Sequence, residues 1–155
     1  MTYGYGLGPD IVGDDNGVPG LPANAMVRRD ASVVARGQFL SGSRTIVPPG
    51  QQATLTFTAQ APFRANSIVL QSLGLAGGNQ ASAVVVRNVK VATQEQMIGQ
   101  TNEVPLTAFS QDNLLGKLQL DTVQVGQVMT ITLENTGAAA ETIAGVAYGI
   151  RLQNG

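Results

Sequence analysis

Clean alternation of apolar and polar residues in two segments most constrains how this chain can fold. The segments are 52–59 (QATLTFTA) and 127–134 (QVMTITLE). A period of two is that of a β-strand with one buried face, whereas an amphipathic helix repeats its apolar residues every three to four positions. Both segments are therefore predicted to be strands whose threonines face outward. The residues on the buried face are Leu55, Phe57, Met129, Ile131 and Leu133.

Turn signals divide the rest of the chain into further short strands. Pro48-Pro49-Gly50 places Pro and Gly at the two central positions of a turn, which is typical of a type II turn. In 83–91 (AVVVRNVKV) the apolar phase slips, which predicts either a β-bulge near Arg87-Asn88 or a strand buried on both faces. The other predicted strands are 44–47, 67–70, 96–98, 118–120 and 142–152, with a turn at 121–126.

The last predicted strand, 142–152, has two unlike faces. One face carries the large residues Val146, Tyr148, Ile150 and Leu152, and the other carries Gly145, Ala147 and Gly149. We expect the large face to point into the core, so that Tyr148 is buried together with Phe57. The small, flat face would then permit close approach of another backbone.

About eight strands without intervening helices predict an all-β, antiparallel β-sandwich of jelly-roll type over residues 31–155. Residues 1–30 differ, since they hold six glycines and three prolines and show no periodicity. They are predicted to form an extended, Gly/Pro-rich N-terminal arm. The arm also carries scattered apolar residues such as Tyr3, Leu7 and Ile11, so we expect it to lie on a neighbouring chain or on its own body. The alternative is a flexible N-terminus without such anchoring.

Composition excludes several chemistries. The 155 residues include no Cys, His or Trp, which removes disulfide frameworks, thiolate nucleophiles, Ser-His-Asp triads and histidine metal cages. The net charge of −1 makes nucleic acid an unexpected partner, because neutralising phosphates needs clustered Lys and Arg. The start of the chain does not have the pattern of a signal peptide, and no apolar segment has the length that spans a membrane.

The surface is predicted to be poor in charge. The sequence has 19 charged residues against 43 Gln, Thr, Asn and Ser residues, whereas a freely soluble monomer carries roughly 25–35% charged residues on its surface. Charge is depleted in the cores of protein interfaces. One interpretation is therefore that much of this surface contacts other protein, and the alternative is a neutral β surface that faces water.

Candidate reactive groups are few. Glu95 and Glu103 come nearest to a carboxylate pair, but they lie in a polar stretch without an aromatic platform and are interpreted as solvated loop acids. Residues 14–17 (DDNG) lack the spacing and terminal Glu of an EF-hand, which favours a turn. Asp121 is interpreted as capping its turn through its own backbone. Residues 74–78 (GLAGG) are not followed by Lys-Ser/Thr and are predicted to be a loop.

The densest basic stretch is interleaved with Asp30 and is too weak a cluster to predict nucleic-acid binding. We accordingly predict a protein that is not an enzyme, with no catalytic residue, no cofactor and no metal site. The basic residues of this stretch are Arg28, Arg29, Arg36 and Arg44.

Five segments of the body follow one another in a recognisable order: 61–70 (APFRANSIVL), 86–91 (VRNVKV), 104–109 (VPLTAF), 120–124 (LDTVQ) and 130–135 (TITLEN). With the Gly-rich arm, this order resembles small β-sandwich virion proteins of bacteriophages, namely single jelly-roll capsid proteins and capsid-decorating (cement) proteins. The resemblance covers roughly residues 40–152. It implies an icosahedral shell, self-assembly into a homo-oligomer, other capsid proteins as partners, and no catalysis. It also implies a place in the virion after assembly in the host cytoplasm, where disulfides bring no advantage.

The alternative is a carbohydrate- or receptor-binding β-sandwich module of a tail fibre or surface appendage. Such modules present aromatic side chains on which sugar rings stack. Aromatic residues make up only 5% of this sequence, which has no Trp. With Phe57 and Tyr148 expected in the core, the sequence favours the structural virion protein.

Overall fold

The structure, a computed structural model, describes residues 33–99, 101–111 and 118–154. The chain divides into two compact units, of which Arg36–Leu152 contains nearly all of the described residues. The other unit, Met1–Ala35 with Gln153–Gly155, includes described residues only at the outer ends of the first and last strands. The arm predicted over residues 1–30 lies outside the described residues.

The described part of the chain is built from ten β-strands and two short 3-10 turns. The turns are Gly78–Ala81 and Leu106–Phe109. The strands are β1 (Val33–Ser41), β2 (Thr45–Val47), β3 (Gln52–Thr58), β4 (Phe63–Leu73), β5 (Val84–Val91), β6 (Gln94–Glu95), β7 (Val104–Pro105), β8 (Thr122–Val123), β9 (Val128–Asn135) and β10 (Glu141–Asn154).

The strands form two antiparallel sheets of five strands each. Sheet A has the order β1-β10-β4-β8, with β2 also paired to β10, and sheet B has the order β3-β9-β5-β6, with β7 also paired to β5. From β2 to β5, and again from β7 to β10, consecutive strands lie in opposite sheets. This is the strand order of a jelly roll. The predicted all-β, antiparallel sandwich is confirmed, with ten strands in place of about eight.

The alternating segments form the centre of sheet B, as predicted. In the register of β3 with β9, Leu55 pairs with Ile131 and Phe57 with Met129, and all four side chains are completely buried. The intervening threonines pair across the same two strands on the outer face of the sheet. Period-two patterning therefore determines both the strands and which of their faces meets the core.

Two local predictions are also confirmed. The register of β5 with β9 shifts between Val86 and Asn88, so Arg87 is the extra residue of a β-bulge. At the turn between β2 and β3, Gly50 has a φ of 69°, and the backbone N–H of Gln51 donates to the Pro48 carbonyl over 3.2 Å. A positive φ at the third position with Pro at the second defines a type II turn.

The prediction for the faces of β10 is wrong. Tyr148 is 44% exposed, and after the buried Ile143 the residues of the strand that face the core are the small ones, Gly145, Ala147 and Gly149. A Cβ on Gly145 would lie 2.7 Å from the Cδ2 atoms of both Leu55 and Leu70. Because side chains from sheet B and from β4 already fill this space, β10 can pass through the sandwich only with small residues inward.

Several strand boundaries differ from those predicted. Residues 96–98 and 118–120 are not strands, and Thr122–Val123 forms β8 where a turn was predicted. Strand β1 was not predicted. The backbone N–H groups of Leu118 and Leu120 do donate to β4 carbonyls, at 2.9 and 3.4 Å, but without a continuous ladder. Residues 118–120 are thus held against β4 by individual hydrogen bonds, which the periodicity of the sequence does not predict.

Candidate interaction surface

The outer face of sheet A carries an apolar patch, which we call the sheet A patch. Strand β10 supplies half of its members, because its small residues point inward and its large ones must point outward. On β4, Val69 is directed outward between the buried Ile68 and Leu70, and it pairs with Val146 of β10. The patch consists of Phe39, Ile46, Val69, Val146, Tyr148 and Ile150.

Two aromatic rings form the most prominent part of this patch. The ring centroids of Phe39 on β1 and Tyr148 on β10 are 6.4 Å apart, with 55° between the ring planes, a favourable tilted contact. Phe39 is 68% and Tyr148 44% exposed. Since an aromatic side chain can bury 150–250 Å², the pair leaves on the order of 200 Å² of side-chain surface accessible.

The part of the patch on β10 carries no charge, and the exposed Arg64 of β4, which pairs with Ile150, lies at its edge. The outward positions of β10 from Thr142 to Ile150 hold no ionisable side chain other than the Tyr148 phenol. Ile46 on β2, which pairs with Thr142, adds a third large apolar side chain at 64% exposure. Apolar, charge-poor patches of a few hundred Å² on soluble proteins mark binding surfaces more often than chance.

The outer face of sheet B is polar by contrast. The Arg87 guanidinium, directed outward by the bulge, donates through Nε to Glu134 Oε1 over 2.5 Å and lies 3.2 Å from Glu103 Oε2. Its Nη1 atom donates to the Asn102 carbonyl. The hydrogen bond from Arg87, followed by that from Gln52, lowers the pKa of the Glu134 carboxyl. The same pairing with Glu134 raises the pKa of Arg87.

The ion pair determines what Glu103 can do. Glu103 is paired with Arg87, whereas Glu95 lies exposed on the two-residue strand β6. The carboxylate pair considered in the sequence therefore consists of one ion-paired acid and one exposed acid.

A half-buried carboxylate at the start of β10 has a full set of partners. Glu141 accepts hydrogen bonds from the hydroxyls of Ser72 and Ser82, at 3.1 and 2.5 Å, and from the backbone N–H of Ala83. Asn79 lies alongside and ties the 3-10 turn Gly78–Ala81 to β4 through the Leu70 carbonyl. Since its oxygens accept from β4 and from the connection between β4 and β5, Glu141 joins the start of β10 to both segments.

Asn135 at the end of β9 has the same structural character. Its side chain is completely buried and donates to the carbonyls of Val47 and Ala139, at 3.0 and 2.7 Å. Its Oδ1 atom accepts from the Gly137 backbone N–H. A buried amide satisfied in this way fixes the β2–β3 turn against the β9–β10 turn.

The remaining candidates from the sequence fall into two groups. Residues 14–17, with Arg28 and Arg29, lie outside the described residues, and the exposed Arg44 is the one member of the basic stretch with a described side chain. The prediction that Asp121 caps its own turn is wrong. Its carboxylate and backbone N–H both bond to the Gln96 side chain, at 2.9 and 3.0 Å.

Within residues 33–99, 101–111 and 118–154, no group of three or more acidic, His or Cys side chains is placed to hold a metal ion. No helix among these residues is long and apolar enough to cross a membrane. No family model, curated protein or solved structure matches the chain. The sheet A patch is therefore the site on which a functional argument can be built.

Sequence reasoning missed this patch, although a signal for it exists. Gly145, Ala147 and Gly149 alternate with large residues, and the large residues were assigned to the core. Leu55 and Phe57 of the facing sheet fill the interior opposite this strand. When large side chains of the opposite sheet fill the core, the small residues of a central strand thus mark the face of that strand that points inward.

Proposed function

We propose that this protein is a structural subunit of a viral particle, either a capsid protein or a capsid-decorating (cement) protein. It acts by self-assembly and by contacts with other capsid proteins, without catalysis, and it resides in the virion after assembly in the host cytoplasm. The observation that carries the proposal is the apolar, charge-poor outer face of sheet A on a jelly-roll body. The resemblance of its segment order to small phage virion proteins, noted from the sequence, supports it.

The patch has the composition of an interface core. A standard protein interface buries about 800 Å² on each partner, with apolar and aromatic residues at its centre and polar residues around it. Phe39, Ile46 and Tyr148 supply such a centre. Thr142 and Gln71, on the outer side of the same sheet, supply neutral polar neighbours. No member of the patch is a charged side chain that binding of another copy would desolvate, and Arg64 at the edge can remain in contact with water.

Solution mass, measured by light scattering and sedimentation, tests this function with a matched pair of variants. Ile46 and Ile98 are both highly exposed, and Ile46 alone belongs to the patch. Ile46→Ser and Phe39→Ser are expected to weaken self-association or shell attachment about tenfold or more, because each removes an apolar side chain from the contact. Ile98→Ser is expected to behave as the wild type.

A strictly monomeric wild type that also fails to bind virion shells would contradict the proposal. Equal effects of Ile46→Ser and Ile98→Ser would show that assembly does not use the sheet A patch. Thermal unfolding of each variant, measured in parallel, separates loss of contact from loss of fold.

A second function is favoured by one observation, the exposed Phe39–Tyr148 pair. Two accessible aromatic rings on a β-sandwich form a platform on which the apolar face of a sugar can stack, as in a carbohydrate- or receptor-binding module. Saturable binding on a glycan array that is lost in Tyr148→Ser and kept in Ile98→Ser would favour this module. Absence of binding to the array together with assembly of the wild type would favour the virion subunit.

A further inference from the structure

A cleft of about 290 Å³ lies beside the sheet A patch, between β1 and the connection from β3 to β4. Phe39 belongs to both, so the cleft and the patch are continuous. Apolar walls are provided by Leu40, Ala59 and Phe63, and polar groups by Gln38, Gln60 and Arg151. Its described lining therefore combines apolar walls with one cation and two amides.

Arg151 has no partner in this cleft. Its Nε atom is buried and forms no hydrogen bond, and neither of the ion pairs among the described residues involves it. The end of β10 is fixed in position, because Arg151 pairs with Phe63 of β4 and the next residue, Leu152, donates its backbone N–H to the Pro62 carbonyl over 2.8 Å. A buried donor without an acceptor is unfavourable. An acceptor that enters the cleft can therefore form the hydrogen bond that the Arg151 Nε–H lacks.

The donor set favours a carboxylate. A guanidinium forms paired, charge-assisted hydrogen bonds with a carboxylate, and one positive charge balances one negative charge. Among the described side chains, no second cation lines the cleft to balance a doubly charged phosphate. The amides of Gln38 and Gln60 can bond to the backbone on either side of the acidic residue, and the apolar walls accommodate an adjacent aliphatic side chain.

We propose that this cleft binds the acidic N-terminal segment of a second copy of the chain, residues 8–16 (GPDIVGDDN). This segment holds three of the ten acidic residues within six positions, with Ile and Val directly after the first. Four of the five acids in residues 33–99, 101–111 and 118–154 are engaged: Glu103 and Glu134 pair with Arg87, and Glu141 and Asp121 accept hydrogen bonds. The fifth, Glu95, is exposed but stands alone on β6, without the cluster of acids that residues 8–16 offer. The inference rests on the proposed function, since it requires a neighbouring copy.

Fluorescence anisotropy with a labelled peptide of residues 8–16 tests the inference. The host is the full-length protein carrying Asp10→Asn, Asp14→Asn and Asp15→Asn, whose own segment cannot compete. We expect saturable binding that weakens at least tenfold on adding Arg151→Gln and changes less than twofold on adding Arg44→Gln, the matched loss of an exposed arginine. A peptide with all three Asp replaced by Asn is expected not to bind.

Equal weakening by Arg151→Gln and Arg44→Gln would overturn the inference, as would the absence of saturable binding or undiminished binding of the Asn peptide. Displacement of the peptide by inorganic phosphate at concentrations at which acetate has no effect would overturn the choice of carboxylate. If Arg151→Gln does not fold, Gln60→Ala keeps the cation and is expected to weaken binding several-fold; unchanged binding would count against the cleft. If the wild type assembles but the host variant does not bind the peptide, this inference alone is overturned. If the protein is a monomer and the host variant binds the peptide, the proposed function alone is overturned.

Discussion

Gly145 gives the sharpest test of how the sandwich is packed. Alanine at this position has two opposite effects on the free energy of unfolding, one through the unfolded chain and one through contacts in the core. Replacing a strand glycine by alanine normally stabilises a protein by about 0.4–1 kcal/mol, since the unfolded chain loses conformational freedom. At Gly145 the new Cβ would lie 2.7 Å from Leu55 Cδ2 and Leu70 Cδ2 and 3.2 Å from Phe57 Cζ. Overpacking of this kind costs about 1–3 kcal/mol, so the net expectation for Gly145→Ala is a loss of about 1–2 kcal/mol.

Urea unfolding followed by circular dichroism measures this loss, at a fixed protein concentration because association shifts apparent stability. The expected decrease corresponds to a melting temperature lower by about 2–8 °C for a domain of this size. Gly37 on β1 is the matched control, because a Cβ there meets no atom within 4 Å. Gly37→Ala is expected to be neutral or to stabilise by up to about 1 kcal/mol.

A double mutant links the cost to the contact we name. Leu55→Val removes one of the atoms that the Gly145→Ala side chain would touch, so the two substitutions together should cost at least about 0.5 kcal/mol less than the sum of their separate costs. Additive costs, or a Gly145→Ala variant as stable as Gly37→Ala, would refute the view that the small residues of β10 are required by the volume of the facing sheet.

Three further predictions concern polar contacts and the backbone. The hydrogen bond from Arg87 lowers the pKa of Glu134 from its ordinary 4.5, so its stabilisation is present above that value and lost as pH falls through the lowered pKa. The advantage of wild type over Glu134→Gln in urea midpoint should therefore shrink below about pH 4.5; a constant difference would contradict the pairing. Asn135→Ala should cost about 2–4 kcal/mol in urea unfolding, since buried backbone groups lose their partners. Gly50→Ala should cost about 1 kcal/mol, because its φ of 69° is unfavourable for alanine; an unchanged urea midpoint in either variant would refute its assigned role.

The parts of the fold that the sequence predicted are those in which one local rule decides the outcome. Alternation in β3 and β9 determines the buried face because a one-residue shift would expose every apolar side chain. The slip of phase in β5 predicts the bulge at Arg87, since only an extra residue keeps Val86 and Val89 both buried. Pro49-Gly50 predicts its turn from backbone sterics alone.

The parts that failed depend on what lies opposite in the sandwich. The exposure of Tyr148 follows from the bulk of residues about 90 positions earlier in the chain, which no local window contains. Strand β1 includes Gly37 and Gln38 and has no clear alternation, so its pairing with β10 is a tertiary outcome. The unpaired Arg151 and its cleft are likewise invisible until the end of β10 is placed beside the β3–β4 connection.

The placement of β10 also connects stability to the proposed assembly. Because small residues occupy the inner face of this central strand from Gly145 to Gly149, the large residues that alternate with them lie on the outer face, where they form much of the sheet A patch. The two faces should therefore respond differently. Gly145→Ala lowers the unfolding free energy, whereas Tyr148→Ser changes association and costs about 0.5–1.5 kcal/mol of stability, because it removes the ring contact with Phe39. If Tyr148 has no partner and simply faces water, Tyr148→Ser will cause neither a loss of association nor a gain in the solubility of the monomer. Measuring the urea midpoint and the solution mass of this one variant therefore distinguishes two explanations of the apolar face. Either the face binds a partner, or it is apolar only because the small residues of β10 must point inward.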